Sequence, residues 1–294
     1  MKNLLPYFVL ISSIFDGLFL GAVLIHLPPL VVMPIWYGSG AILCIALYLI
    51  KYRRDKMFHG FKNNWMKIIA FYFFSILSGV CWMFAVFYLG LGISTIMDQA
   101  HYVLIILWSI LILKEHFSKH MAFATLFILT GVYIITHGAH QDQSWIGFIF
   151  IGLMSVGYAG TTIVKKSLSG NINHNTVIVT RALLMMAGAC FAHLYLNNGS
   201  FVGYDFEPYL WLLLVIGGMI GAGLNHHLSL AALKFTSLSH YILIQMLEPM
   251  LMLLAGVLLY QDIITPTQFF GIGVVLIGKA ILVKGKWDKK LNKH

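Results

Sequence analysis

Hydrophobic residues run almost unbroken along this chain, and the breaks between runs are short. Apolar stretches near the roughly 20 residues that a helix needs to cross a bilayer fall at about 4–26, 29–50, 67–90, 93–113, 120–137, 145–164, 176–196, 209–231, 238–260 and 266–284. Pro28-Pro29, a charged stretch from Lys51 to Lys67, and polar loops at 138–144 and 197–208 separate them. The runs are continuous and lack the period-2 alternation of barrel strands, so they predict helices. The expected fold is an all-α polytopic membrane protein with ten transmembrane helices.

Composition points the same way. Of 294 residues, 60% are hydrophobic and 10% charged, against about 25% charged in soluble domains. Such a chain could not cover its surface in water. Cys44, Cys81 and Cys190 stand singly in apolar runs without CxxC spacing, which predicts small packing residues, no disulfide and no thiolate metal site. The apolar stretch after Lys2 reaches Leu27 and contains Asp16. It exceeds the roughly 7–15 residues of a signal h-region, so a retained first span is expected.

Charge orients the helices. With a cytoplasmic N-terminus, the inside segments hold Lys2, the basic group from Lys51 to Lys67, Lys114, Lys119, Lys165, Lys166, Lys234 and the tail from Lys284 to Lys293. The outside loops then hold no Lys or Arg, while Asp142, Asp205, Glu207 and Asp262 lie there. The positive-inside rule predicts N-in, C-in. The net charge of +9 is therefore a topology signal, and its spread over several cytoplasmic segments argues against nucleic-acid binding.

Residues 85–135 and 232–282 repeat one another. Ala85 aligns with Ala232, Leu104 with Leu251, Leu111 with Leu258, Glu115 with Asp262, and Gly131 with Gly278. An odd number of spans separates the copies, so the halves enter the membrane in opposite directions. The expected organisation is a five-helix repeat at 1–140, an inverted five-helix repeat at 141–284, and a basic cytoplasmic tail at 285–294.

Ala232-Leu233-Lys234, Pro249, Asp262 and Leu276-Ile277-Gly278 resemble the second repeat of EamA-type transporters in the drug/metabolite transporter superfamily. Arg181 matches an arginine common in the second helix of that family's halves. The first half departs from the pattern: Pro34, Trp36 and Tyr37 occur where an arginine would stand, and Tyr102 replaces a mid-span proline. The resemblance implies helices four and nine lining a central cavity, and substrates ranging over amino acids, drugs, choline-like amines, nucleotides and vitamins.

Charged side chains at mid-bilayer cost at least about 2.5–3.5 kcal/mol on insertion scales, so each asks for a reason. Ser94, Asp98 and His101 share one helix face; their repeat partners are Tyr241, Gln245 and Glu248. His101, Asp98 and Glu248 are candidates for substrate binding or proton coupling, because imidazoles and desolvated carboxyls can titrate during a cycle. The alternative is a structural ion pair. Asp16, Arg181 and His227 are further candidates, with capping, headgroup snorkelling and packing as their plainer roles. Lys279 has the same snorkelling option and is expected to be structural. Tyr37, Trp82, Tyr102 and Tyr158 could form a stacking surface or simply pack. No metal site, cofactor or catalytic residue is expected.

These features point to a secondary carrier in the cell membrane, in the bacterial inner membrane by expectation. It would move a small organic solute, amino-acid-like or amine-containing, by alternating access, with a proton as candidate coupling ion. Its partners are that solute and the lipid bilayer, and it works as a monomer or homodimer. A membrane-embedded enzyme with a His/Asp/Glu site and a non-transporting receptor or scaffold are the alternatives.

Overall fold

The computed structural model describes residues 4–51, 62–113, 119–138, 144–168, 174–196, 207–235, 244–245 and 247–291. In chain order its helices are α1 (Leu5–Leu24), α2 (Pro29–Lys51), α3 (Trp65–Leu89), α4 (Leu91–Met97), α5 (His101–Leu113), α6 (Lys119–His137), α7 (Trp145–Leu168), α8 (His174–Leu196), α9 (Pro208–Gly218), α10 (His226–Phe235), α11 (Leu247–Tyr260) and α12 (Pro266–Leu291). A 3-10 turn, Asp98–Ala100, joins α4 to α5, and a π-helical turn, Met219–Asn225, joins α9 to α10. Among the described residues there is no strand. Among the described residues, seven helices are long and apolar enough to cross a membrane, with shorter apolar helices at Leu247–Tyr260 and Pro266–Ile281.

The helix ends follow local chemistry. Proline opens α1, α2, α9 and α12 at or beside the first position, where its missing N–H costs no intrahelical bond. At α12 a capping box closes the start: the Gln268 N–H donates to Thr265 Oγ1 at 3.2 Å, and the Thr265 N–H donates to Gln268 Oε1 at 3.0 Å. Gly90, with φ +80, turns the chain from α3 into α4, a conformation that costs glycine little.

The chain forms two compact units. One holds Met1–Ile76 and Val164–Thr236; the other holds Leu77–Ile163 and Ser237–His294. Each takes helices from both sequence repeats. In the first unit α2 packs on α8 through Ala41, Cys44 and Tyr48 against Ile178, Val179 and Ala182. Its other side meets the α9–π segment closely. A Cβ at Gly40 would lie 2.6 Å from the Ala222 Cβ and 2.9 Å from the Gly218 carbonyl.

The second unit buries Cys81, Ala85, Leu89, Ile93, Ile96, Met97, Ile135, Ile151, Met154, Ile272 and Val275 in one core. Its α6–α12 seam repeats a single contact. A Cβ at Gly131 would lie 2.8 Å from the Gly271 carbonyl, and one at Gly278 would lie 3.0 Å from the Ala124 carbonyl. Gly131 aligns with Gly278, and Ala124 with Gly271, in the sequence register. The duplication therefore reappears as two matching backbone approaches.

One stripe of α6, Ala124, Ile128, Gly131 and Ile135, is buried, while Phe123, Leu126, Leu129 and Tyr133 are exposed. Apolar faces of this kind, recurring on helix after helix, need lipid as their solvent. The chain is a multi-pass membrane protein. Cys190 departs from expectation: it is exposed, whereas Cys44 and Cys81 are buried, because it lies on the outward stripe of α8 with Phe191 and Leu194.

Candidate functional site

The polar residues of the second unit gather where the 3-10 turn interrupts the α4–α5 run. The His101 Nδ1–H donates to the Asp98 carbonyl at 2.5 Å and to Asp98 Oδ1 at 3.1 Å. Both acceptors are oxygens, so the hydrogen sits on Nδ1. The rings of Tyr102 and Tyr158 lie 4.2 and 5.6 Å from the imidazole, centroid to centroid.

Lys279 of α12 belongs to the same cluster. Its ammonium donates to Gln99 Oε1 at 2.5 Å and lies 5.1 Å from the Tyr102 ring centroid. The carboxylates of Glu248 and Asp98 both act on it electrostatically, Glu248 the more strongly. Gln99 in turn donates to the Thr95 carbonyl at 3.0 Å. Lys279 is only 2% exposed, which overturns the snorkelling expected of it. The physical reason is helix phase: Gln268, Ile272, Val275 and Lys279 recur at helical spacing and are all buried. The stem cannot reach a headgroup from that face, so the charge is met inside.

Ser94 completes the strip. Its hydroxyl, and that of Ser155 on α7, are buried with no hydrogen-bond partner among the described residues. Buried hydroxyls in this condition are rare and costly. Gln245 and Glu248 sit in this unit as well, Gln245 buried and Glu248 half-buried. Trp82 and Tyr158 pack against the apolar core. Tyr241 lies outside the described residues.

The remaining candidates belong to the first unit. Tyr37 is buried in the core of α2. Arg181 on α8 is 8% exposed and acts electrostatically on Cys44 of α2. The neighbouring Thr180 hydroxyl is hydrogen-bonded to the Tyr72 hydroxyl. His227 is half-buried at the start of α10. Asp16 lies directly against Gly221 of the π-helical turn, where a Cβ would overlap its carboxylate.

Sequence reasoning missed Lys279 and Gln99 as site members. A usable signal existed for Lys279, since the spacing from Gln268 marks the buried stripe. Gln99 had none, because its role depends on a cation supplied by a distant helix.

Comparison with known proteins agrees with this architecture. The sequence model of the EamA-like transporter family matches twice, over residues 6–137 and 145–284. The chain belongs to the EamA-like transporter family, and so to a class of membrane transporters of the drug/metabolite type. No curated protein matches it. One solved structure, described only as "Crystal structure of protein", has a TM-score of 0.63 at 14% identity and covers 95% of each chain. At that identity the likeness carries the fold alone.

Proposed function

We propose that the protein is a secondary active transporter of a small amine-containing or amino-acid-like solute, working by alternating access with a proton as coupling ion. Ten spans in two inverted repeats, with both termini in the cytoplasm of a bacterial inner membrane, are the topology that goes with this function. Glu248 and Asp98 take the solute's ammonium group, Lys279 takes a carboxylate where the solute is a zwitterion, and Tyr102 and Tyr158 flank it. His101 carries the proton. Arg181 and Asp16 lie outside this cluster and have no place in the step.

The observation that carries the proposal is the buried Lys279 beside the half-buried Asp98, Glu248 and His101. Two carboxylates against one ammonium leave a single negative charge while the imidazole is neutral. A desolvated site resists net charge, so it favours one added cation: a proton on His101, or the ammonium of a solute. Either one satisfies the site and disfavours the other, which gives coupled exchange without a nucleotide-binding motif.

The experiment starts with a thermal-shift screen of amines and amino acids on the purified protein. Counterflow in liposomes then tests any hit. Transport should vary with pH, and Glu248→Gln should abolish that dependence. A Glu248→Gln protein with wild-type transport at every pH would overturn the proposal.

A further inference from the structure

Two helices of the second unit each bring an acid to its polar cluster. The α4 run leads into Asp98, α11 carries Glu248 in its first turn, and both carboxylates act on the Lys279 ammonium. Away from those acids the same two helices close on each other. A Cβ at Gly256 would lie 2.8 Å from the Gly92 nitrogen and 3.0 Å from its Cα, and a Cβ at Gly92 would lie 3.4 Å from the Leu253 Cα. At about 1.5 Å of rise per residue, Gly92 stands about 9 Å before Asp98, and Gly256 about 12 Å beyond Glu248. Gly92, Thr95 and Gln99 share one face of α4, and Gln99 accepts the Lys279 ammonium. The Gly92–Gly256 approach therefore covers the face that leads to the cluster.

Asp262 fastens this approach. α11 ends in a Schellman-type turn: Gln261 takes the left-handed conformation, φ +56, and the Asp262 N–H donates back to the Gly256 carbonyl at 3.0 Å. Glycine usually fills that left-handed position. A side chain held there costs free energy, and such strained residues cluster at clamps and switching segments. What the turn achieves is the placement of Asp262. Its Oδ2 accepts the Gly92 N–H at 2.8 Å, so a carboxylate from beyond the end of α11 is bonded to the first turn of α4. A glycine contact has few atoms to pull apart, and one hydrogen bond is then a large share of what holds it.

We propose that the Asp262–Gly92 bond is the latch of a gate, holding α4 against α11 and shutting one approach to the Lys279 cluster. The two helices part there when the cluster is loaded or emptied. On the proposed topology this is the outer approach. The inference rests on the transporter reading for what passes the gate; its test uses no solute, so either can fail alone.

The reporter is Thr95→Cys in the full-length protein, with Cys44, Cys81 and Cys190 replaced by alanine. Thr95 is 5% exposed and lies between the latch and Gln99, so a cysteine there reacts when the helices part. Purified protein in detergent is treated with a trimethylammonium methanethiosulfonate, and mass spectrometry follows the labelling rate. Losing a cap-like bond should raise the opening equilibrium, and with it the rate, about fivefold in Asp262→Ala. Gly256→Ala, which wedges a methyl group against the Gly92 backbone, should also speed labelling. Gly131→Ala is the control. It overpacks the α6–α12 seam of the same unit and should leave the rate at the reporter's own value. If Gly256→Ala does not fold, Asp262→Ala decides against the control; if Gly131→Ala does not fold, Gly278→Ala on the same seam replaces it. An unchanged rate in Asp262→Ala would overturn the proposal. Equal acceleration in the seam control would overturn it too, because the whole unit would then be loosening.

Discussion

The two compact units place polar groups inside the membrane by opposite means. In the first, Asp16 lies against Gly221 of the π-helical turn, and Ser12 and Ser13 of the same helix bond Asn225. In the second, two acids share a buried ammonium and an imidazole. Each cluster sits at an irregular turn within a helical run, the π-helical turn in the first unit and the Asp98–Ala100 3-10 turn in the second. The difference shows that a broken helix admits polarity without dictating its kind. Neighbouring helices decide the kind: small residues on α9 and the π turn admit a carboxylate edge-on, and a long cation on α12 balances two.

Removing the cation from the second unit should therefore have the largest effect. Lys279→Met takes away the buried ammonium on which Glu248 and Asp98 both act, and breaking a buried pair in this way costs about 3–5 kcal/mol. Unfolding in detergent should show that loss. Adding Glu248→Gln to Lys279→Met should recover part of it, with a coupling above about 1 kcal/mol. Additive effects in the double variant would break the comparison, because Lys279 would then not be the cation that balances these acids.

The first unit should respond to shape before charge. Gly221→Ala drives a methyl group into the Asp16 carboxylate, and overpacking of this sort costs about 1–3 kcal/mol. Gly152 and Gly273 give the control, since a Cβ at either meets nothing within 4 Å. Alanine there should be neutral or stabilising by up to about 1 kcal/mol, the helix-propensity difference. Thermal unfolding of the three variants separates these signs.

Much of this was legible in the sequence, for physical reasons that can be named. Lipid demands long uninterrupted apolar helices, so the runs announced the architecture. The Gly131–Gly278 register was visible because the α6–α12 approach leaves no room for a Cβ at either position. Asp98 and His101 were legible as a pair because they lie a turn apart on one helix. Lys279 was misjudged because snorkelling depends on which way a helix faces, and a hydropathy window does not contain that direction. The Ser12–Asn225 bond joins residues far apart in sequence and of ordinary type, so nothing local marks it. The fourth and eighth spans are expected as continuous runs, and hydropathy alone does not mark the irregular turns at Asp98–Ala100 and Met219–Asn225.

Asp262 offers the smallest effect and the finest test of how charge is handled in the second unit. It aligns with Glu115 as the acid ending a hydrophobic run, and it lies in the connection between α11 and α12. Its Oδ2 accepts the Gly92 N–H at 2.8 Å, capping α4 from a distant part of the chain. Gly90, Gly92 and Gly256 crowd the carboxylate so closely that a Cβ at Gly256 would lie 2.5 Å from Oδ2. Burial raises the carboxyl's pKa above the ordinary aspartate value of 3.8, and the Gly92 N–H offsets part of the rise. The folded protein thus holds this proton more tightly than the unfolded chain. As pH climbs through 3.8 the unfolded carboxyl ionises first, so folding loses stability until the native group ionises too, and the loss then levels off. Asp262→Asn keeps an oxygen for Gly92 and sheds the charge, so at pH 7 it should change stability by less than about 1 kcal/mol. Its stability should also fall less than wild type's as pH is raised out of the acid range. Asp262→Ala loses the cap and should cost about 1 kcal/mol. If asparagine proved as costly as alanine, the anion itself would be holding α4, and this unit would use an uncompensated charge where the Lys279 cluster uses a balanced one.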